Sequence, residues 1–310
     1  MTIPTHVTLV DVGPRDGLQN EKQPVAAADK IELVHRLQAA GLTEIEVTSY
    51  VSPKWVPQMG DNAAVMAGVQ RKPGVRYSVL TPNLKGFEAS IAGPRATWPD
   101  EIVVFAAATE AFSQRNINCS IQQSIERFRP VAEAAHAQGI KVRGAVSCAL
   151  GCPYQGAVSA DEVEHVVRLM KGIGVDHCGI ADTIGTGTAL QVQRVMERAL
   201  RHYPVAEVSG HFHDTYGQAL ANILACLQIG IHLFDTSIAG LGGCPYAKGA
   251  TGNVATEDVV FMLHGMGIAT GIDMDRLVDA GAFISSVLGR APVSRAGKAL
   301  LTKRESLAAC

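Results

Sequence analysis

Short runs of β-branched and aliphatic residues alternate along this chain with stretches whose apolar positions recur every three or four residues. The first pattern reads as strand and the second as amphipathic helix. Eight runs are strand candidates, at residues 7–12, 44–48, 75–80, 101–106, 140–147, 175–181, 206–213 and 232–237. Their starts recur every ~26–39 residues, near the ~31 expected of eight βα units in about 250 residues. Between them, Ile31, Val34 and Leu37 give one apolar stripe ended by Gly41, a C-cap candidate. Ser159 and Glu162 form a capping box ahead of Val163, Val167 and Met170. Residues 218–229 and 256–266 read as the last two barrel helices, and 274–288 as an additional helix.

This rhythm predicts an α/β fold with a parallel sheet: a (β/α)8 TIM barrel with an additional C-terminal helix over residues 1–290, followed by a polar, mobile tail at 291–310. An open doubly wound sheet shares the local pattern, but wants a Gly-rich GxGxxG turn after its first strand. Here that turn is GPRDG.

The chain's 310 residues, 47% of them hydrophobic, suffice for one large core. A net charge of -2, no long basic run and 5% aromatic residues argue against nucleic acid as a partner. The seven cysteines are odd in number, irregularly spaced and lack a CxxC pair, which suits a reducing compartment. With no membrane-length apolar run and no leader ahead of the first strand, a cytoplasmic protein is expected.

In a barrel, chemistry gathers where strands end. Arg15 and Asp16 follow strand one, Glu46 ends strand two, Asp182 ends strand six, and His211 and His213 end strand seven. Period two puts both histidines on one strand face with Phe212 opposite. Two inward imidazoles form a natural metal pair, and carboxylate and amide oxygens favour harder ions such as Mg²⁺ and Mn²⁺. The competing reading is a pair of hydrogen-bonded rim histidines. Asp16 can supply a hard oxygen and Arg15 a planar donor fork, although a surface turn with a salt bridge would look the same. The loop GLGGCPYAKGATGN, 240–253, carries five glycines and Cys244, and suits a lid over the mouth. His35, His136, His165 and His264, on helices, are expected to be packing or surface residues, and Cys148, Cys152, Cys178 and Cys226 small core residues.

The stretches VGPRDGLQNE, SYVSPKWVPQMGD, VLTPNLKGFE, NCSIQQSIERF, VSCALGCPY, DTIGTGT, HFHDTYGQALAN and AGLGGCPYAKGATGN resemble the 3-hydroxy-3-methylglutaryl-CoA lyase family, within a superfamily of metal-dependent barrels that make and break carbon–carbon bonds. The resemblance runs from about residue 7 to 288. It departs at 91–101, a longer helix-to-strand link, and in the C-terminal tail. It implies cleavage of an acyl-CoA substrate to acetyl-CoA and acetoacetate, as in leucine catabolism, in a homodimer or higher homo-oligomer. It also implies one Mg²⁺ or Mn²⁺ held by Asp16, His211, His213 and Asn253. By the same resemblance, Arg15 contacts the thioester carbonyl, Glu46 supports Arg15, and Asp182 supports the histidines or the substrate hydroxyl. Asp182, His211 and Cys244 are acid–base candidates, and Asn20, Lys22 and Lys248 candidate CoA contacts. Two alternatives remain: a related lyase or aldolase acting on another hydroxyacyl-CoA or hydroxy-keto acid, and a non-catalytic metal-binding barrel.

Overall fold

In the computed structural model, which describes residues 3–243 and 252–308, eight parallel strands follow one another round a closed barrel. They are β1 (Thr8–Asp11), β2 (Glu44–Ser49), β3 (Arg76–Leu80), β4 (Glu101–Ala107), β5 (Lys141–Ser147), β6 (His177–Asp182), β7 (Val208–Phe212) and β8 (Leu233–Thr236). These are the eight runs expected from the sequence, shifted by a residue or two at their ends. Pairing of Leu9 with Phe234 and Asp11 with Thr236 joins the first strand to the last, which excludes the open doubly wound sheet.

Helices α1 (Ala27–Ala39), α2 (Asn62–Gly68), α3 (Leu84–Ser90), α4 (Glu110–Ile117), α5 (Ile121–Ala137), α6 (Ala160–Gly172), α7 (Ala189–Ala199), α8 (Ala219–Gln228) and α9 (Thr256–Gly265) cover the ring. The local signals work as expected. Gly41, one residue past the C-cap of α1, takes φ 99°, open to glycine at little cost. Ser159 and Glu162 exchange hydrogen bonds at the start of α6.

Period two divides each strand. Ile45 and Val47 of β2, Ile102, Val104 and Ala106 of β4, and Val142 and Val146 of β5 belong to the apolar layer shared with the helices. The alternate positions face the barrel axis, and many are charged. Arg143 of β5 reaches Glu101 of β4 at 3.1 Å and, across the barrel, Asp235 of β8 at 2.9 Å. Arg76 meets Glu44 at 3.5 Å. A barrel interior is ordinarily filled by layers of Val, Ile and Leu. Here part of that volume is an ion network, which is tolerable in a buried setting only because each charge has partners.

Beyond the barrel, α10 (Met274–Val287) packs on α1, where the Arg36 guanidinium lies 4.4 Å above the Phe283 ring. The stretch read as a mobile tail carries α11 (Arg295–Ala308). Asp258 of α9 accepts from Ala296 N at 2.7 Å and caps its first turn, while Arg304 pairs with Asp275 and Asp279 of α10. Polar composition thus marks a docked helix held by charge rather than a loose end.

The link at 91–101 folds on itself, with Trp98 Nε1 bonded to Gly93 O at 2.7 Å and Arg95 stacked on the Trp98 ring. With Met66 and Val69 it walls a cavity of about 700 Å³ at the N-terminal end of the barrel, away from the strand ends where barrel chemistry sits. Cys119, Cys148, Cys152, Cys178 and Cys226 are buried free thiols, and His35, His136, His165 and His264 bond ordinary neighbours. Among the described residues, no helix is long and apolar enough to cross a membrane.

Candidate active site

The first βα turn, Gly13–Gly17, is a single π-helical turn that places Arg15 and Asp16 over the barrel mouth. Glycine is required at both ends. A Cβ on Gly13 would lie 2.7 Å from Asp11 Oδ1 and Ile238 Cγ2, and one on Gly17 would lie 2.7 Å from Leu241 Cβ. From β7, His211 projects into the same space, with His213 one alternation further on. Asp16, His211 and His213 each offer one ligand atom, all within 4.8 Å of one another. The imidazole centroids are 5.4 Å apart.

Arg15 is locked from both sides. Nη1 donates to Asp16 Oδ1 at 2.6 Å and Nη2 to Glu46 Oε2 at 2.7 Å. Burial opposes ionisation of Asp16, but Arg15, the two histidines and a hydrogen bond from Asn253 outweigh it and hold the carboxyl well below its usual range. Burial, aided by the charge of His211, lowers His213 to about 4, so its ring is neutral with a lone pair free at neutral pH. His211 moves the other way. Burial lowers it, but the bond and charge of Asp235, helped by Asp16, prevail and raise it.

An ionised carboxylate beside two imidazoles is a donor set that suits a divalent cation. Two orphaned polar atoms strengthen the fit: among the described residues, His213 Nδ1 and Glu46 Oε1 are buried without a hydrogen-bond partner.

Several expectations change in detail. Asn253 is present, bridged to His213, but its Nδ2 donates to Asp16 Oδ2 at 2.8 Å and to Leu241 O at 3.3 Å. In this arrangement the amide nitrogen of Asn253, not its oxygen, faces Asp16. Asp182 makes its hydrogen bonds to its own loop, where its oxygens accept from Thr186 N at 3.1 Å and Gly187 N at 2.8 Å, and it lies near enough to His211 to feel that ring's charge. Burial pushes it up to about 6. The carboxylate that holds His211 is Asp235, 3.2 Å from Nδ1, itself fixed by Arg143. Sequence reading missed Asp235, Arg143 and Glu101. The available signal was an acid at the centre of the strand-eight run, in phase with Leu233. Asn20 donates to Gly243 O at 3.0 Å, and Lys22 is exposed. Cys244 and Lys248 lie outside the described residues.

The chain is similar along nearly its whole length to known proteins. A Pseudomonas aeruginosa protein named 3-hydroxy-3-isohexenylglutaryl-CoA/hydroxy-methylglutaryl-CoA lyase is 58% identical over 98% of this chain and 100% of its own. A crystal structure of hydroxymethylglutaryl-CoA lyase from Pseudomonas aeruginosa superposes with a TM-score of 0.94 at 58% identity, covering 98% of this chain and 100% of that one. An HMG-CoA lyase from A. baumannii, solved with coenzyme A and 3-methylmalate, superposes with a TM-score of 0.90 at 33% identity, covering 96% of both chains. With the HMGL-like family model matching residues 6–284, the chain belongs to the HMGL-like family.

Proposed function

We propose that this chain is a carbon–carbon lyase that cleaves 3-hydroxy-3-methylglutaryl-CoA to acetyl-CoA and acetoacetate. The observation that carries the reading is the Asp16–His211–His213 cluster beside a guanidinium locked by Glu46. In the reaction the tertiary hydroxyl loses its proton. Its oxygen electrons form the acetoacetate ketone as the adjacent C–C bond breaks, and the pair from that bond becomes the acetyl-CoA enolate, which then takes a proton on carbon. A bound Mg²⁺ or Mn²⁺ supplies Lewis acidity toward the hydroxyl and a template for the substrate oxygens.

The chain's own residues do the rest. Asp16, His211 and His213 would hold the ion, with Asn253 beside them as the candidate fourth ligand. Arg15 donates to the thioester oxygen as charge develops there, and its two carboxylate partners hold it ready before substrate arrives. Asp235 fixes His211 through Nδ1, leaving Nε2 for the site. Asp182, held near 6 by burial, is suited to carry a proton close to neutrality. His211 and Cys244 are the other acid–base candidates, and Asn20, Lys22 and Lys248 are candidate CoA contacts.

Purified protein should release acetyl-CoA from 3-hydroxy-3-methylglutaryl-CoA, lose that activity to a chelator and regain it with Mg²⁺ or Mn²⁺. Absence of acetyl-CoA from metal-loaded protein would overturn the reading. A second substrate is favoured by the name of the Pseudomonas relative: a glutaryl-CoA with a longer 3-alkenyl branch. The ratio of kcat/KM for the two thioesters decides which is preferred. We further propose a cytoplasmic location, a place in leucine catabolism and assembly as a homo-oligomer.

A further inference from the structure

Asp11 is fully buried at the end of β1 and takes no part in the site described above. Its phase on the strand is that of Leu9, which lies in the layer between strands and helices, so it points away from the barrel axis. Three donors from three chain segments converge on it. Oδ1 accepts from Gly13 N at 2.8 Å and from Ile238 N at 3.3 Å, and Oδ2 accepts from the Thr256 hydroxyl at 2.7 Å.

Each donor belongs to a segment that carries a site residue or a hydrogen-bond partner of one. Gly13 opens the turn bearing Arg15 and Asp16. Ile238 opens the turn leading to Leu241, whose carbonyl accepts from Asn253. Thr256 opens α9 three residues after Asn253. The backbone joins these segments sparsely, through Val12 N to Thr236 O, Ser237 N to Val254 O and Thr256 N to Ser237 O. The Thr256 hydroxyl also lies 2.9 Å from Thr236 Oγ1, but the two amides and the hydroxyl converge on Asp11, where a carboxylate provides two acceptor oxygens. An apolar residue of the same size would strand two buried amides.

We infer that Asp11 is a positioning residue that holds the Asp16-bearing turn in register with the Asn253-bearing connection. It touches no reacting atom. The 2.8 Å contact between Asn253 and Asp16 bridges the ends of the chain, and Asp11 is bonded to the segments on both sides of it. Glu257 acts beside it: both of its oxygens lie 3.0 Å from the amide of Ala239, a residue held at the left-handed φ of 56°. The inference rests on the metal reading of the site, and the test separates the two.

Mn²⁺ binding, followed by electron paramagnetic resonance of the free ion, is measured on wild type, Asp11→Ala, Asp11→Asn and Thr256→Val, each checked for native circular dichroism. Misplacing a ligand's support costs about 10–100-fold in metal affinity, the loss expected for Asp11→Ala. Asp11→Asn keeps an oxygen for the two amides, and the Thr256 hydroxyl can turn to accept from its NH₂, so most of the affinity should return. Thr256→Val removes one arm without changing the core volume and should weaken Mn²⁺ binding several-fold; it also decides the question if Asp11→Ala does not fold. Amide exchange at Gly13 and Ile238 should accelerate in Asp11→Ala. Wild-type Mn²⁺ affinity in folded Asp11→Ala or in Thr256→Val would overturn the inference. Wild-type protein that takes up no Mn²⁺ overturns the metal reading instead, and unchanged exchange at the two amides would then dispose of the Asp11 role as well.

Discussion

Replacing Arg15 by Lys keeps a positive charge and removes a fork. The guanidinium spans Asp16 and Glu46 with two separate nitrogens at 2.6 and 2.7 Å. A single ammonium cannot hold both carboxylates and still present a donor to a thioester oxygen at a fixed angle. Loss of one preorganised donor to a developing oxyanion costs about 10²–10³ in kcat, or about 2.7–4 kcal/mol of barrier. Asp16, His211 and His213 remain, so Mn²⁺ affinity should stay within about tenfold of wild type, the small end of the range for disturbed support. Burial already raises the Glu46 pKa against the pull of Arg15, so weakening that partner should raise it further. The assay is steady-state turnover of 3-hydroxy-3-methylglutaryl-CoA beside a Mn²⁺ titration of the same preparation. If metal-loaded Arg15→Lys turned over within about threefold of wild type, Arg15 would be a structural turn residue and the charge-stabilisation argument would fail.

Asp235→Asn should lower Mn²⁺ affinity about 10–100-fold, because His211 Nδ1 loses its charged acceptor; calorimetric titration giving an unchanged affinity would sink that role. Glu257 gives a pH signature in stability. Burial pushes its folded pKa up to about 8 from 4.5, so the folded state binds the extra proton between these values. Its contribution is fully present below about 4.5 and is lost as pH rises toward 8, a change of roughly 5 kcal/mol. Glu257→Gln, which mimics the protonated acid, should flatten the fall of thermal midpoint with pH across that window; parallel curves for the two proteins would refute the assignment.

The eight strands were legible because period two and period 3.6 are written in local order, and because a barrel repeats one βα unit. The His211–His213 pair was legible for the same reason: alternation alone puts both rings on one face. Asp235 was not, since its meaning comes from lying level with His211 in the register of β7 and β8, which exists only once the ring has closed. Arg143 lies 92 residues from Asp235, and no window along the chain contains both. The bonds of Asp182 were not legible either, because an acid at a strand end can meet any of several groups, and here it meets the amides of its own loop. The polar composition of the tail was read correctly, but its partner Asp258 sits on another helix, so docking was invisible from the tail itself.

The pairing of the first strand with the eighth has a consequence for biosynthesis. Until residues 233–236 leave the ribosome, β1 has an open edge and the barrel cannot shut. Arg143 by then has Glu101 but lacks Asp235, leaving its charge only half matched. A chain stopped or cut before residue 233 would therefore expose a parallel edge and an imperfectly neutralised interior together. Proteases and chaperones recognise such open forms. The charged interior thus makes an incomplete molecule easy to find and remove, where an aliphatic barrel could persist as a stable but useless fragment.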